Sequence, residues 1–372
     1  MSARESPHGL DPATLRTPAL VVSAEAVDAN IACVLALLEG TNIGWRPHVK
    51  TAKLAWTMQW LLDRGVTAFK CATPRELEVL CGLGAPDVLV AYPHGGANAA
   101  AIQALAEAHP ATAVSAIVDD PRQVAPWRAP VSLFVDLDVG MGRGGIPVGD
   151  ERAVAAAVHA IERAGLGFRG FHVYDGHLGG LTPEARDGAV AEQLHEVAAL
   201  VRRLGRKGLE VVTSGTPTFA VAARLSPFGP LAVGHSVAPG TVTYADLMTL
   251  ETHPGAGFRP AATVVARVVS EAPARLIVDA GSKAVSVDQG VPSCATVGFP
   301  ALEPKQPSEE HLPVAVSVHA TDAPELGDLV ELVPRHVCTT VANFDEALLV
   351  GEPPGGPAVE VTVDARGRRT GP

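Results

Sequence analysis

Short apolar runs rich in β-branched residues alternate with longer Ala- and Leu-rich stretches from residue 19 to about residue 245. A first run, Ala19–Ser23, precedes eight further runs that we predict as strands: 42–48, 67–71, 88–92, 112–118, 131–137, 168–174, 209–213 and 231–237. Predicted helices lie between most of the runs, at 28–39, 54–64, 75–83, 97–108, 151–164 and 184–207. This alternation predicts right-handed βαβ crossovers and a parallel sheet. Eight such units in roughly 200 residues favour a closed (β/α)8 TIM-type barrel over an open doubly wound sheet.

The pattern changes from about residue 255. Short β-branched runs at 262–269, 275–279, 312–318, 328–333 and 358–363 follow one another with Gly and Pro between them and no long helix. This predicts a mostly-β C-terminal domain. The first strand is surplus to an eight-stranded barrel, and we expect it to pair with the C-terminal part. The predicted domains are therefore 1–24, an N-terminal strand joining the β domain, 25–250, the barrel, and 251–372, the β domain.

Composition narrows the possible partners. The chain has 372 residues, is 47% hydrophobic, and carries a formal charge of -11 with a pI of about 5.6. No basic cluster suits a phosphate backbone, so we expect no nucleic-acid partner. No apolar run reaches the roughly 18 residues of a membrane span, and we expect no membrane partner. Five cysteines, an odd number without a C-x-x-C pair, favour a reducing, cytoplasmic setting over a disulfide framework.

Polar residues end several predicted strands, where a barrel keeps its functional groups. The segment WRPHVKTAK places Arg46, His48 and Lys50 on one face of the first barrel strand, because side chains two apart project to the same side. A desolvated lysine favours the free amine that forms a Schiff base. Later SGT and PGT turns offer backbone N–H groups and hydroxyls to a phosphate. A Schiff-base lysine with a phosphate cradle is what pyridoxal phosphate (PLP) requires.

The combination RPHVKTAK, DLDVGMGRGG, SGTPTF and APGTVTYAD resembles the alanine-racemase-like (fold type III) PLP enzymes, and more closely their D-serine dehydratase and D-threonine aldolase branch. The resemblance covers almost the whole chain, including the surplus first strand. It implies that Lys50 carries the cofactor as the internal aldimine, and that Arg143 reaches the side of the cofactor's phenolic oxygen. Tyr174 would contact the pyridine ring. Arg46 and His48, deeper on the same inward face, would tune the lysine.

The resemblance also implies a phosphate cradle, and it contains two departures from the family pattern. The cradle would consist of Ser214, Gly215, Thr216, Gly240 and Thr241. Ala238 stands where alanine racemases have an arginine against the ring nitrogen, which argues against plain racemase chemistry. Ala52 stands where the branch usually has histidine, which removes one polar contact of the site.

A metal pair is predicted at His336 and Cys338, two residues apart on what we expect to be an extended segment. Imidazole and thiolate are ligands for Zn²⁺. Taken alone, H-x-C is more often a buried Cys beside a surface His. The resemblance places the metal of the family here, with His-x-Cys in the dehydratase type and usually Asp two residues after the His in the aldolase type. The segment 308–311, SEEH, is a candidate for residues that support the ligands, and an acidic solvated loop is the equal alternative.

The resemblance therefore implies a PLP- and metal-dependent lyase for a β-hydroxy D-amino acid. The D-serine dehydratase type, which gives a keto acid and ammonia, is the first reading, with zinc as the metal and manganese or magnesium as alternatives. The second is D-threonine-type aldol cleavage to glycine and an aldehyde, for which His94, His172 or His177 would be the base. A non-catalytic PLP carrier is the alternative from another class. The partner is a small amino acid substrate, and the resemblance implies a homodimer.

Overall fold

The first strand and helix follow directly on one another in the computed structural model, which describes residues 6–317, 319–320 and 322–368. Strand β1 is Ala19–Ser23, as predicted, and helix α1 is Ala24–Leu38, which begins four residues earlier than expected. The chain divides into two units. The first comprises residues 1–33, 51–57 and 241–366, and the second comprises residues 34–50, 58–240 and 367–372. The predicted boundaries at 24/25 and 250/251 remain predictions, and these units divide the chain at other positions.

The second unit contains the predicted parallel barrel. Its strands are β2 (Ile43–Trp45), β3 (Ala68–Cys71), β4 (Asp87–Val90), β5 (Ala113–Val118), β6 (Ser132–Asp138), β7 (Ile146–Pro147), β8 (Phe168–Val173), β9 (Glu210–Thr213) and β10 (Gly234–Val237). Eight of them pair in the order β2-β10-β9-β8-β6-β5-β4-β3, and short β7 pairs with β6. A parallel bridge between His48 and Lys70 joins the two ends of this order, so the sheet closes. The (β/α)8 prediction is confirmed.

Capping residues in the sequence set the ends of several helices that follow the barrel strands. They are α2 (Ala55–Asp63), α3 (Pro74–Gly82), α4 (Gly96–Ala108), α5 (Glu151–Arg163), α6 (Pro183–Leu204) and α7 (Phe219–Arg224). The hydroxyl of Thr73 and the carboxylate of Asp150 accept from the exposed N–H groups of α3 and α5, and Thr182 does so for α6. Gly205, at φ 62°, ends α6 in the left-handed conformation that glycine adopts without strain.

Two different layers fill the barrel. One is apolar, and its buried side chains come from five strands or strand ends: Leu89, Ile117, Phe134, Val212 and Ala238. The other is ionic and surrounds Arg46, which is 1% exposed. Its guanidinium donates to both carboxylate oxygens of Asp87, at 3.0 and 3.1 Å, and to both of Glu210, at 3.0 Å each. Arg169 pairs with the same two carboxylates at 2.8 and 3.1 Å. Arg46 is therefore a structural cation of the barrel interior.

The first unit is mostly β, as predicted. Besides β1 its strands are β11 (Ala262–Ala272), β12 (Arg275–Val278), β13 (Cys294–Thr296), β14 (Leu302–Pro304), β15 (Leu312–Val316), β16 (Leu329–Pro334), β17 (Glu346–Val350) and β18 (Val359–Thr362). The strand order is β14-β15-β12-β11-β1-β17-β18, with β16 paired to both β11 and β13. Strand β1 runs antiparallel to β11 and parallel to β17. Its helices are the short α8 (Leu247–Thr252) and α9 (Val337–Val341).

Several predicted runs end within a few residues of the observed strands. The run at 312–318 is a strand only to Val316, and its last residue lies outside the described residues. Each of the five cysteines, all of them among the described residues, is outside any disulfide. Among residues 6–317, 319–320 and 322–368, no helix is both long enough and apolar enough to cross a membrane.

Candidate active site and candidate metal ligands

Lys50 lies in a turn just beyond the first barrel strand, and not at the end of the strand itself. The strand β2 ends at Trp45, and the bridge at His48 extends its path along β3. The backbone N–H of Lys50 donates to Nδ1 of His48 at 3.3 Å, so the imidazole supports the turn. Lys50 is partly exposed, whereas Arg46 is buried in the ionic layer. The three polar residues of the segment WRPHVKTAK, Arg46, His48 and Lys50, thus have three different surroundings.

The ring of Tyr174 is the point on which three cationic side chains converge. Nζ of Lys50 is 5.9 Å from the ring centroid, Nζ of Lys70 is 5.7 Å from it, and Cζ of Arg143 is 4.4 Å from it. These distances lie within the range of cation–π attraction. The predicted residues Lys50, Arg143 and Tyr174 are therefore neighbours in the barrel. Lys70 also belongs to this group, although it was not predicted from the sequence.

The loop that carries Arg143 is held by one carboxylate. Asp138, the last residue of β6, accepts from the backbone N–H of Gly140 at 3.0 Å and of Gly142 at 3.1 Å. Both glycines have positive φ, 108° and 65°, which lets the backbone N–H groups turn back toward the carboxylate. The motif D-x-G-x-x-R thus positions the guanidinium against Tyr174 by folding the loop around Asp138.

The turn after β9 contains the predicted residues Ser214, Gly215 and Thr216. Ser214 adopts a left-handed conformation, φ 68°, and a Cβ on Gly215 would lie 3.0 Å from Cε2 of Tyr174. The turn is tied to buried Asp175, whose Oδ1 accepts from the N–H of Gly215 at 3.2 Å and is 2.8 Å from the hydroxyl of Thr218. Burial, opposed by these hydrogen bonds, raises the pKa of Asp175.

Gly240, another predicted cradle residue, packs directly on the turn of His48. A Cβ at this position would lie 2.3 Å from the backbone carbonyl oxygen of His48, so only glycine fits. The preceding Pro239 is fixed by its carbonyl, which accepts from Nε1 of Trp45 at 3.1 Å. The PGT turn is therefore attached to the same segment that carries Lys50.

Of the histidines proposed as bases, two have buried roles and one is exposed. His94 is buried, and its Nε2 is 3.0 Å from the carbonyl oxygen of Ala72. His172 lies between Asp136 and Lys70, with Nδ1 2.6 Å from Asp136 Oδ1 and Nε2 3.3 Å from Lys70 Nζ. His177 is exposed, and its Nε2 is 3.4 Å from Nε2 of Gln193.

The metal candidates lie in the first unit, and the expectation of an extended segment is wrong for Cys338. Only His336 is extended; it caps helix α9, and Cys338 lies in the first turn of that helix. The helix forms here because buried Asp246 accepts from the N–H of Val337 at 3.0 Å. Thr51 Oγ1 is 3.0 Å from Cys338 Sγ, and the hydroxyl of Thr241, the remaining predicted cradle residue, is 3.6 Å from it.

His336 has a carboxylate partner that the sequence did not reveal. Its Nδ1 lies 2.6 Å from Asp288, which also accepts from the hydroxyl of Thr339 at 2.9 Å. Burial opposes the charged imidazole, but the charges and hydrogen bonds of Cys338 and Asp288 outweigh it and raise the pKa of His336 to about 9. A metal needs the neutral imidazole, in which the Nδ1–H given to Asp288 would leave Nε2 as the lone-pair nitrogen, so metal binding near neutral pH would release the second ring proton.

The other predicted features of this unit have ordinary surroundings. Glu309 and Glu310 pair with exposed Lys283 at 2.7 and 3.1 Å, which agrees with an acidic surface loop. Ala52 is buried, and its carbonyl accepts from the hydroxyl of Tyr244 at 3.0 Å. Among the residues that the structure describes, no group of three or more His, Cys, Asp and Glu side chains could hold a metal ion. The imidazole and thiol pair of His336 and Cys338 stays a prediction.

The barrel residues fit PLP in kind. A partly exposed amine, an aromatic ring with positive charge around it and turns that admit no Cβ are present together in this unit. The imidazole and thiol of His336 and Cys338 suit Zn²⁺, whose catalytic sites keep positions open for water or substrate.

Comparison with known proteins identifies related chains. Residues 22–246 match the family model for the alanine racemase N-terminal domain, and residues 261–350 match the putative serine dehydratase domain. A D-threonine aldolase from Arthrobacter sp. is 27% identical over 91% of this chain and 89% of its own. A D-threo-3-hydroxyaspartate dehydratase from Delftia sp. (strain HT23) is 26% identical over 89% of this chain and 93% of its own. The crystal structure of D-threonine aldolase from Filomicrobium marinum superposes with a TM-score of 0.83 at 26% identity, covering 95% of this chain and 96% of that one.

Proposed function

The chain belongs to the alanine-racemase-like (fold type III) family of PLP enzymes, and we propose that it is a lyase of the D-serine dehydratase type that acts on β-hydroxy D-amino acids. The observation that favours a dehydratase over an aldolase is the cysteine two residues after His336. The sulfur of Cys338 is 3.0 Å from the hydroxyl of Thr51. A thiol in this position matches the His-x-Cys pattern of dehydratases. The D preference is supported by the relatives, which are named for D-amino acids.

Each barrel residue that the sequence predicted as cofactor-binding then has a role. Lys50 would hold PLP covalently and, as a free amine, take the proton from Cα of the substrate. Tyr174 would contact the cofactor ring, and Arg143 would contribute positive charge beside it. Ser214, Gly215, Thr216 and Gly240 would bind the phosphate group of the cofactor. Thr241 is predicted from the sequence to bind it as well. PLP itself supplies an electron sink for the charge that develops at Cα.

His336 and Cys338 would bind a divalent metal, zinc in the first place, with manganese or magnesium as alternatives. Hydroxide is a poor leaving group, and a metal supplies the Lewis acid that its departure requires. The Nδ1–H of His336, given to Asp288, orients the imidazole for this purpose. His48 would support the turn of Lys50, since it accepts from the N–H of that residue.

The second candidate is aldol cleavage of the D-threonine type. Relatives that support it include the D-threonine aldolase of Arthrobacter sp. and a 3-hydroxy-D-aspartate aldolase from Paracoccus denitrificans (strain Pd 1222), which is 26% identical. His177, exposed at the end of the FHVYDGH segment, would be the base in that reaction. A PLP carrier without catalysis is disfavoured, because carriers resemble the barrel alone and this chain adds a β unit with His336 and Cys338.

A product assay separates these functions. The purified protein, loaded with PLP and zinc, is incubated with D-threonine. We expect 2-oxobutanoate and ammonia; glycine and acetaldehyde would instead identify an aldolase, and no product from D-threonine or D-serine would favour a carrier. Chelation should abolish the reaction while the visible absorption of the bound cofactor persists.

Covalent attachment is tested with Lys50→Ala, which should lose that absorption. Lys207→Met, which removes an exposed lysine of the same unit, is the matched control and should stay yellow. Full retention of the colour in the Lys50 variant would contradict the assignment of the carrier lysine.

Assembly and location are extensions of the proposal. We infer a homodimer from the family resemblance, and light scattering that gives the mass of a single chain at micromolar concentration would contradict it. A cytoplasmic location is supported by five cysteines, none of which lies in a disulfide among the described residues. Fractionation of cells that produce the protein tests it.

A further inference from the structure

Lys70 is a buried lysine of the barrel that the proposed function leaves without a role. It lies in the middle of β3, in the segment AFKC, and is 2% exposed. Its Nζ is 5.7 Å from the Tyr174 ring centroid, close to the 5.9 Å of Lys50 from the same point. Burying a lysine costs free energy unless it is paired or loses its proton. A second amine at this distance from the ring therefore requires an explanation.

Three side chains form a hydrogen-bonded chain across the barrel interior. Lys70 extends from β3 to His172 on β8, where Nζ and Nε2 are 3.3 Å apart. His172 Nδ1 is 2.6 Å from Asp136 Oδ1 on β6. Because a carboxylate only accepts, Nδ1 carries the hydrogen and Nε2 presents its lone pair to the lysine. The tautomer of His172 is thus fixed as an acceptor for Lys70.

Burial and the charges around Lys70 bring the pKa of its amine close to neutral. Burial, followed by the positive charge of Lys50, lowers the pKa of Lys70 to about 7. Burial likewise lowers the pKa of His172, against the opposing charge and hydrogen bond of Asp136, and this favours the neutral imidazole. The titratable and charged groups that face Lys70 come from several elements of the barrel: Lys50, Asp136, Arg143, His172 and Asp175. A group that titrates near the working pH is suited to proton transfer.

We propose that Lys70, held by His172 and Asp136, is the proton donor of the lyase reaction. This inference rests on the proposed function, since it names the group that accompanies Lys50 in the same site. The proposed metal would polarise the departing hydroxyl group but supplies no proton, and a donor separate from Lys50 would let the hydroxyl group be protonated while Lys50 takes the proton from Cα. The second amine beside Tyr174 supplies that proton.

Protons and electrons balance without a further reactant, because the electron pair left at Cα forms the Cα–Cβ double bond as the Cβ–O bond breaks. The ammonium of Lys70 gives one proton to the β-hydroxyl as the Cβ–O bond breaks, and water leaves. Lys70 becomes a neutral amine that stays hydrogen-bonded to His172 Nε2, and Lys50 holds the proton taken from Cα. Exchange with solvent then returns one proton to Lys70 and removes one from Lys50.

The first test measures the Lys70 amine directly and does not depend on turnover. The PLP-loaded full-length protein is prepared with ¹³Cε-labelled lysine, and the chemical shifts are followed by NMR from pH 5 to pH 10. We expect one lysine to titrate near pH 7 and its signal to disappear in Lys70→Met. A Lys70 signal that stays in the charged form up to pH 9 would overturn the proposal.

The second test uses the lyase rate as a function of pH. A donor must be protonated, so the wild-type rate should fall as the pH rises through about 7. In Lys70→Met this decrease of the rate with rising pH should be absent, and kcat should be lower about 100-fold or more, the usual scale for a general acid. Lys70→Arg should not restore the rate, because a guanidinium keeps its proton. Lys207→Met is the matched control.

Asp136, the acidic partner of His172, provides an independent test of the pH dependence. Asp136 raises the pKa of Lys70, so in Asp136→Asn the rate should begin to fall at a lower pH than in wild type. Visible absorption of bound PLP in each variant shows whether the cofactor is still held. A Lys70→Met enzyme with PLP bound and the wild-type pH profile, or rescue by arginine, would refute the donor role.

The two proposals fail in different ways. If the wild-type protein binds PLP but gives no lyase products, the proposed function fails while the NMR titration of Lys70 still reports its amine. If the products form and Lys70→Met behaves as wild type, only the donor role fails.

Discussion

Replacement of Arg46 by methionine tests whether the ionic layer holds the barrel together. Arg46 is 1% exposed and makes two hydrogen bonds to Asp87 and three to Glu210, all between 3.0 and 3.3 Å. Removing one partner of a buried ion pair costs about 3–5 kcal/mol, because the other charge stays buried and uncompensated. We expect about 3 kcal/mol, the lower end, because Arg169 still faces both carboxylates.

The free energy of unfolding is measured by urea denaturation of wild type and Arg46→Met at pH 7 and again at pH 2.5, below the unfolded carboxyl pKa. Burial opposes ionisation of Asp87, but the hydrogen bonds of Arg46 and Arg169 outweigh it and lower its pKa. A lowered carboxyl pKa stabilises the fold above the unfolded value of about 3.9, and this contribution is lost as the pH falls through the folded value. The difference in the free energy of unfolding between wild type and Arg46→Met should therefore become smaller at acidic pH.

Arg169→Met is the matched control. Its side chain is 27% exposed, so we expect the loss to be about 1 kcal/mol. An Arg46→Met protein within 1 kcal/mol of wild type, or one that loses no more than the Arg169 variant, would refute the reasoning.

Three other changes test features near the candidate sites. Asp288→Asn removes the carboxylate that orients His336 and should weaken zinc binding about 10–100-fold, measured by competition with a coloured chelator. Gly240→Ala forces a Cβ against the His48 carbonyl and should lower the free energy of unfolding by about 1–3 kcal/mol and weaken PLP binding, followed by absorbance. Burial lowers the pKa of His235 to about 4, so the unfolded state binds more protons between pH 4 and 6.5. Wild type should lose up to about 1.4 kcal/mol per pH unit as the pH falls through that window, and His235→Gln should lack this slope in urea titrations.

Each of these predictions has a control in the same chain. Asp63→Asn on the surface should leave zinc affinity unchanged. Gly82→Ala, where a Cβ meets nothing within 4 Å, should be neutral for PLP binding. Exposed His159→Gln should retain the wild-type pH slope. Equal effects in a variant and its control would contradict the local explanation for that site.

The barrel was predictable because its signal is local. Apolar runs of five to seven residues alternate with helical stretches, three of which have Thr73, Asp150 and Thr182 as N-cap residues, and each such unit can be recognised within about thirty residues. The chain neighbours of Lys50 could likewise be read from one motif.

The chain of Lys70, His172 and Asp136 could not be predicted in this way. Its members come from three strands far apart in sequence, and only the closed sheet brings them together. A lysine inside an otherwise apolar strand was the single available signal. Helix α9 was missed because its first turn depends on Asp246, which is ninety-one residues away from Val337. Hydrogen bonds between residues far apart in the chain do not affect the local pattern of hydrophobic and polar residues.

The place of strand β1 in the sheet constrains how this protein can be made in the cell. Its two neighbours, β11 and β17, begin at residues 262 and 346, so the ribosome produces them long after β1 has left the exit tunnel. Domains generally fold as units and N-terminal parts first during synthesis, but this strand must wait as an unpaired apolar segment, ALVVS. Buried Val21 and Val22 are then exposed in the nascent chain. Binding of a chaperone to the first thirty residues of stalled chains, released once residue 350 has emerged, is the expected behaviour.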